Sequence, residues 1–583
     1  MTKNYLCIHG HFYQPPRENP WLDRIEKEPS AAPFDNWNQR INAECYHTNA
    51  FARILNDEGR IRHLLNNYEY ISFNFGPTLL SWMEKMDMET YEAILNADRR
   101  SRERLGHGNA LAQVYNHIIM PLANERDKHT QVIWGIRDFE FRFGRKPEGM
   151  WLAETAVDLP TLEVLAEHGI QFTILAPGQA KAFRQLGKKD WEEIIGTGIN
   201  TRRPYLCKLP SGKTINLFFY DGGLSQAVAF EGLLNYGKFF AERLTKDFND
   251  DVVELIHIAT DGESYGHHHR HGEMALAHAL HHVQKHELAT LTNYATFLED
   301  FPPTFEVQLH ENSSWSCYHG VERWRSNCGC HMGGNNGWTQ EWRKNLREIL
   351  DWLRDELAVI YEREASKLTK SPWDMRNNYI HWILKNRNIS PVMLSAPDEI
   401  NTEVHDLSDP YYLDPTLLQL LEMQHNALLM FTSCAWFFDE ISGIESTQVL
   451  KYAKRAMEIA QDLTGIDLHD TFVRKLEIAH SNVYENGATI YKEHIIPARL
   501  KAMGKVFFQG FLNINEETDL KTIQELTQML VNLREAHITV DHLNKCQNHY
   551  HRMERQFVNN QLTFPSNEWE DAFEDLGEAL GFD

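Results

Sequence analysis

The amino-acid sequence predicts an α/β barrel followed by an all-α helical domain. The first half alternates short apolar runs with helical stretches, a pattern that implies a mostly parallel sheet with helices outside it. Several of those runs end in polar residues able to do chemistry: His9 and His11, Asn74, Glu154, Asp221 and Asp261. Functional groups gathered at one end of successive strands favour a barrel with one active face. After about residue 300 the apolar residues recur at helical spacing instead.

Strands are predicted at residues 5–8, 70–75, 149–152, 172–175, 215–220 and 253–258, each an apolar run of strand length. A helix is expected over PTLEVLAEHG, after Leu159. FPPTFEV, at 301–307, reads as a boundary. ENSSWSCYHGVERWRSNCGCHMGGNNGW follows, dense in Trp, Cys, His and Gly and without helical period. Beyond it Trp342, Leu346, Ile349, Leu353, Leu357 and Ile360 recur every three or four residues and mark one apolar helix face. Further helices are predicted near 373–385, 415–438, 446–462, 470–503, 519–534 and 537–558, and the acidic tail NEWEDAFEDLGEALGFD is expected to fray at its end. The expected organisation is a catalytic barrel over 1–305, an active-site lid or linker over 306–340 and a helical domain over 341–583.

A chain of 583 residues is too long for one ordinary domain. Its 58 basic and 82 acidic residues give 58 − 82 = −24, so a nucleic-acid partner is not expected, whereas a neutral substrate is not disfavoured. No run could span a bilayer, and the opening MTKNYLCIHGHFYQPP lacks the long apolar stretch of a signal peptide. The eight cysteines are sparse and mostly isolated, as befits reduced thiols, and a cytoplasmic location is expected.

Two stretches carry the chemistry. In PEGMWLAETAVD, Glu154 follows an apolar strand by two residues; in ATDGESYGHHHRH, Asp261 ends one. Two carboxylates at the ends of barrel strands suit glycoside cleavage, one attacking the anomeric carbon and the other protonating the leaving oxygen. The alternative is that Glu154 caps a helix and Asp261 solvates a loop.

With WLAE at 151–154 and DGESYG at 261–266, the first 300 residues resemble glycoside hydrolase family 57. The family's opening element, His-x-His-Gln-Pro, is departed from: HGHFYQP keeps His9, His11, Gln14 and Pro15 but inserts Phe12 and Tyr13. The resemblance implies a distorted (β/α)7 barrel and retaining chemistry on α-linked glucans, with Glu154 as nucleophile and Asp261 as general acid/base. It implies an oligo- or polysaccharide partner and no cofactor. His9, His11, Gln14, Trp151, Asp221, Glu263, Tyr265, His267, Trp315 and Trp324 are the candidate substrate-binding residues. Hydrolysis and transglycosylation or branching stay open, because loop shape and water exclusion decide between them.

No metal site is expected. His267 and His271 have the i, i+4 spacing of ligands, but His267 is expected to line the pocket and its neighbours to be solvated. CGCH is too tight for an ordinary zinc hook, so Cys317, Cys328, Cys330, His319 and His331 are expected to be thiols and imidazoles packed beside the pocket. Trp315, Trp324 and Arg323 serve either as a sugar-stacking lid or as packing between the two halves. TSCAWFFDE, at 432–440, is expected to reach the active face, with Asp439 as a polar partner or a solvated helix end. Two other functions stay open: a metal-dependent barrel hydrolase of the deacetylase or mannosidase type, using His9, His11, Asp261 and the histidine run, and a non-catalytic glucan-binding protein.

Overall fold

The structure, a computed structural model, describes residues 4–582 apart from 197, 249–251, 387–413, 537, 539 and 560. Seven strands form the barrel: β1 (Asn4–Phe12), β2 (Ser72–Phe75), β3 (Ala110–Gln113), β4 (Met150–Trp151), β5 (Phe172–Leu175), β6 (Thr214–Phe219) and β7 (Glu254–Asp261). All their pairings are parallel. β1 pairs with β7 from Asn4↔Glu254 to His11↔Asp261, and on its other edge with β2. Order then runs β2–β3–β4, crosses to β5 through one bridge, Gly149↔Phe172, and continues to β6. Between β6 and β7 the Asp221 amide donates to the His257 carbonyl at 2.8 Å. The barrel is distorted there because the free edge of β6 is taken by the antiparallel strand Tyr205–Lys208. A side sheet grows outward from it through Phe305–Leu309 and Ala180–Gln185. Strand pairing in the first half therefore continues to Leu309, past the boundary expected at 305.

Six of the seven strands fall on predicted runs. The seventh, Ala-Leu-Ala-Gln over β3, escapes because alanine carries no strand preference; it is buried at all four positions. Burial on both faces is why the strands read as apolar runs rather than alternations. β2 and β5 are buried throughout, and β7 is buried from Leu255 to Thr260 and opens only at Asp261.

The second half is helical. In the helix Trp342–Ala365 all six residues of the predicted apolar face are buried. The single helix predicted over 470–503 is instead broken: His469–Leu476 stops, and the chain restarts at Gly487, where the Asn486 side chain caps the Thr489 amide. The 415–438 run likewise splits into Pro415–Leu429 and Cys434–Phe437. The last predicted helix spans Leu543–Val558, and positions 537 and 539 of that prediction lie outside the described residues. Instead of fraying, the acidic tail forms the helix Asn567–Leu580, with Trp569, Phe573, Leu576 and Leu580 buried. It closes a separate core with Phe507, Leu530 and Tyr550. Among the described residues no helix is long and apolar enough to cross a membrane.

The two halves are joined through buried polar contacts. Arg376, on the helix Pro372–Asn386, donates to Asp127 at 2.8 Å and to the Thr130 hydroxyl at 2.8 Å, both on the barrel helix Glu125–Phe143. Both charged side chains are nearly inaccessible. Removing one partner of such a pair strands the other, so Arg376→Ala should lose about 3–5 kcal/mol of stability in denaturant unfolding. A loss under about 1 kcal/mol would show that the halves are joined by apolar packing alone.

Candidate active site

The two candidate carboxylates sit at the C-terminal ends of β4 and β7. Glu154 follows β4 in a tight turn in which both Glu154 (φ 57°) and Thr155 (φ 51°) take the left-handed conformation. Such backbone costs about 1–3 kcal/mol per residue and persists only where its surroundings fix it. Here the Trp315 amide donates to the Glu154 carbonyl at 3.0 Å, and the Gln179 side chain donates to the Thr155 carbonyl at 2.8 Å. The carboxylate itself accepts from the Trp315 indole N–H at 2.9 Å and the Ser316 hydroxyl at 2.6 Å.

Electrostatics separate the two carboxylates. Burial raises the pKa of both. For Glu154 the Ser316 and Trp315 hydrogen bonds and the charge of Arg323 oppose the rise. For Asp261 nothing opposes it: the charges of Glu263 and Glu154 add to burial and push it well above the usual carboxylate range. Asp261 is nevertheless accessible to solvent, so it faces an opening rather than the core. Glu263, two residues on, is buried; it accepts from the Tyr13 amide at 3.1 Å and the Tyr46 hydroxyl at 2.5 Å, and burial raises it to about 7. Between them Gly262 lies so close to the Phe12 ring that a Cβ would come within 2.2 Å of it. Phe12 and Tyr13 thus brace the Asp261–Glu263 turn from below.

Beneath the carboxylates a chain of neutral side chains crosses the barrel. Asn74 donates to His11 Nδ1 at 2.9 Å, which leaves the His11 proton on Nε2 to bond His117 Nε2 at 3.1 Å. The His117 proton then lies on Nδ1 and donates to the Ser433 hydroxyl at 2.7 Å. On the other side Asn74 Oδ1 accepts from His9 Nε2 at 3.1 Å, and His9 Nδ1 meets the Ser72 hydroxyl at 3.0 Å. Burial lowers the pKa of His9 and His11 to about 3 and that of His117 well below its ordinary value, so all three are uncharged at neutral pH.

A glycosyl hydrolase family 57 model matches residues 31–310, a region that holds both carboxylate elements and six of the seven barrel strands. Residues 31–310 form a glycosyl hydrolase family 57 domain. Residues 338–535 match a second family, described as a domain of unknown function (DUF3536). The chain is similar to alpha-amylase 1 of Dictyoglomus thermophilum, 25% identical over 200 residues, a match covering 34% of this chain and 26% of that protein. It thus spans about a quarter of that relative's length. Among solved structures it is similar to an exo-type maltose-forming amylase from Pyrococcus sp. ST04 (TM-score 0.59, 16% identity, 87% of this chain and 85% of that one). It is also similar to a branching enzyme from Thermococcus kodakaraensis (TM-score 0.50, 16% identity, 84% and 94%). At such identities the structural likeness establishes the distorted (β/α)7 barrel with its helical companion.

The predicted binding residues divide. Trp315 is partly exposed beside Glu154 and meets Tyr220 edge to face, and His267 is half-buried with Nδ1 on Glu44 at 2.5 Å. Asp221 is partly accessible and caps the helix Gly222–Phe230 through the Leu224 amide. His9, His11, Trp151, Tyr265 and Trp324, expected to bind substrate, are all buried. Both ring nitrogens of His9 and of His11 are bonded within the protein. Trp151 lies sandwiched under both imidazoles, with ring centroids at 4.9 Å. Trp324 donates to the Ser433 carbonyl and so packs the 306–340 segment onto the helical half. Gln14 is buried, its amide bonded to the Tyr13 carbonyl and to Arg17. Glu263 is buried as well and positions the turn.

Sequence reading passed over His117, Ser316, Tyr13 and Tyr46. Ser316 adjoins Trp315, and His117 sits in YNHIIMP just after an unrecognised strand, but neither spacing reports a contact made across the barrel. Asp439, read as either a polar partner of the active face or a solvated helix end, accepts from the amides of Met332 and Gly334 and clamps the 306–340 segment. The tight CGCH spacing does not keep the cysteine cluster apart. Cys317, His319, Cys328 and Cys330 converge with their ligand atoms within 4.8 Å of one another, while His331 turns away and accepts from the Gly333 amide.

The raised pKa of Glu263 makes stability depend on pH. A carboxyl raised from 4.5 to about 7 favours folding when protonated, so its contribution declines as pH climbs from about 4.5 and levels off above 7. Glu263→Gln keeps an acceptor for Tyr13 and Tyr46 without the charge. The variant should match the wild type in unfolding free energy at pH 4.5 and exceed it at pH 8, by at most about 3 kcal/mol. A gap that does not change with pH would show that Glu263 is not protonated in the fold.

Proposed function

We propose that this protein cleaves α-glycosidic bonds in α-linked glucans with retention of configuration, Glu154 acting as nucleophile and Asp261 as general acid/base. The observation that carries the reading is the unequal treatment of the two carboxyl groups: burial raises both, but only for Glu154 do hydrogen bonds and a nearby positive charge oppose the rise. Trp315 and Ser316 donate to Glu154 and so favour its ionised form, whereas burial and two neighbouring carboxylates keep the proton on Asp261. Groups whose environments push their pKa values apart divide acid from base work. The family match and the amylase and branching-enzyme relatives supply the substrate class.

In the first step Asp261 gives its proton to the departing glycosidic oxygen as the Glu154 carboxylate bonds to the anomeric carbon. In the second the Asp261 carboxylate takes a proton from water or from a sugar hydroxyl, which displaces Glu154 and releases the hydrolysed or transferred product. Strands and helices through about residue 310 supply both carboxylates. The 306–340 segment completes the site through Trp315 and Ser316, and the helices from 341 onward hold that segment. A cytoplasmic setting is supported by the eight cysteines, none of which is joined in a disulfide.

Glu154→Ala should abolish turnover on every glucan, with azide restoring an inverted product. Asp261→Ala should slow substrates with poor leaving groups by about 10²–10⁴-fold, while an activated aryl glycoside still forms the covalent intermediate and then stalls. Product anomers followed by NMR decide the stereochemistry: an inverted product from the wild type, or full activity without Glu154, sinks the assignment. Trp315→Phe removes a donor from the ionised form of Glu154 and should move the acidic limb of the pH–rate profile to higher pH. An unmoved limb would show that the indole bond does not tune the nucleophile.

A further inference from the structure

Two residues past Trp315 the chain enters a turn whose geometry the carboxylate chemistry does not use. Cys317 Sγ lies 3.9 Å from both Cys328 Sγ and Cys330 Sγ, and Cys330 Sγ lies 3.6 Å from His319 Nδ1. These three separations match edges of a tetrahedron, and the ligand atoms all lie within 4.8 Å of one another. With Zn–S bonds of about 2.3 Å and Zn–N bonds of about 2.0–2.1 Å, tetrahedral coordination requires S···S edges of about 3.8 Å and S···N edges of about 3.5 Å. Disulfide bonding requires sulfurs about 2.05 Å apart, and none of these pairs approaches that. Among the described residues this is the only group of His, Cys, Asp or Glu side chains to converge in this way.

The surroundings fit a thiolate site. Backbone amides of His319 and Arg323 point at Cys317 Sγ, and that of Tyr318 at Cys330 Sγ, as N–H donors do around metal-bound sulfur. Gly329, between the two cysteines of the tight hook, takes φ +81°. A side chain there would be strained, so glycine lets a one-residue spacer turn both sulfurs to a common point. Three thiolates around a dication leave one negative charge. Arg343, fully buried, donates to the Cys330 carbonyl at 2.9 Å and, with Arg323, places positive charge beside the cluster.

We propose that Cys317, His319, Cys328 and Cys330 bind one zinc ion in tetrahedral coordination, closing the 317–330 segment into a rigid loop. The ion has no open position for substrate and holds structure rather than reacting. Its placement matters because the loop begins one residue after Ser316, so it anchors the donors to Glu154. Zinc binding itself does not depend on the glycosidase reading, and the measurements below do not use activity.

Protein purified with a thiol reductant and without chelator should contain about one zinc ion per chain by mass spectrometry of the elements. Replacement with cobalt should give the intense thiolate-to-metal absorption and visible bands of a tetrahedral site. The double variant Cys328→Ser/Cys330→Ser should retain under about a tenth of the metal, and zinc removal should speed hydrogen exchange over 313–332 while leaving β1 and β7 protected. If the variant does not fold, the metal content and cobalt spectrum of the wild-type chain still decide. Protein that carries no stoichiometric metal, or iron instead, or a disulfide among these cysteines under reducing purification, overturns the proposal.

Discussion

The eight-residue ladder between β1 and β7 is the constraint from which the site follows. It sets His11 opposite Asp261. One residue beyond, Phe12 lies against Gly262, and the next amide, of Tyr13, bonds Glu263. A slip of one residue in this register would invert every side chain on β1. The imidazoles of His9 and His11 would leave the barrel interior, and the turn carrying both acidic groups would lose its support. The ladder therefore fixes at once the acidic turn above and the row of neutral imidazoles and amides below.

That row explains a feature that looks wasteful at first, three histidines buried where they cannot titrate near neutral pH. A charged group beneath two carboxylates would draw both toward ionisation. Uncharged imidazoles satisfy one another's hydrogen-bonding capacity without placing a cation there, and they supply a flat stack for Trp151. Polarity is thus admitted to the barrel core while charge is kept at its rim, and the field felt by Glu154 and Asp261 is left to the groups that differ between them.

Much of this was legible in the sequence. Buried parallel strands announce themselves as apolar runs, and the two acidic elements stand at the ends of such runs; both follow from local composition. β3 was not legible, because a strand of alanine, leucine and glutamine has no composition that sets it apart from a helix. Residue roles around the carboxylates were only half legible. Trp151, Tyr265, His9 and His11 adjoin the acidic motifs and so invite a binding role, but neighbourhood in sequence does not say which face of a strand a side chain takes. Cysteine spacing hid the convergence for a related reason: the hook rule assumes two-residue spacers, and a left-handed glycine at 329 lets Cys328 and Cys330 approach one point with a single residue between them. The break near Leu476 depends on an Asn cap in a stretch whose helical period runs on across it.

The acidic pair is made by the first half of the chain but finished by the second. Trp315 and Ser316 lie beyond the family 57 match, on a segment fastened to Asp439 and, through Trp324, to Ser433, and Ser433 also ends the imidazole row at His117. A ribosome releases these parts in order. While the barrel strands are already outside the tunnel, Glu154 still lacks both its donors, and its left-handed turn lacks the Trp315 amide that braces it. The nascent barrel therefore emerges before the groups that donate to Glu154. Those donors are held in place only when more than a hundred further residues, through Ser433 and Asp439, have emerged and folded back onto the 306–340 segment.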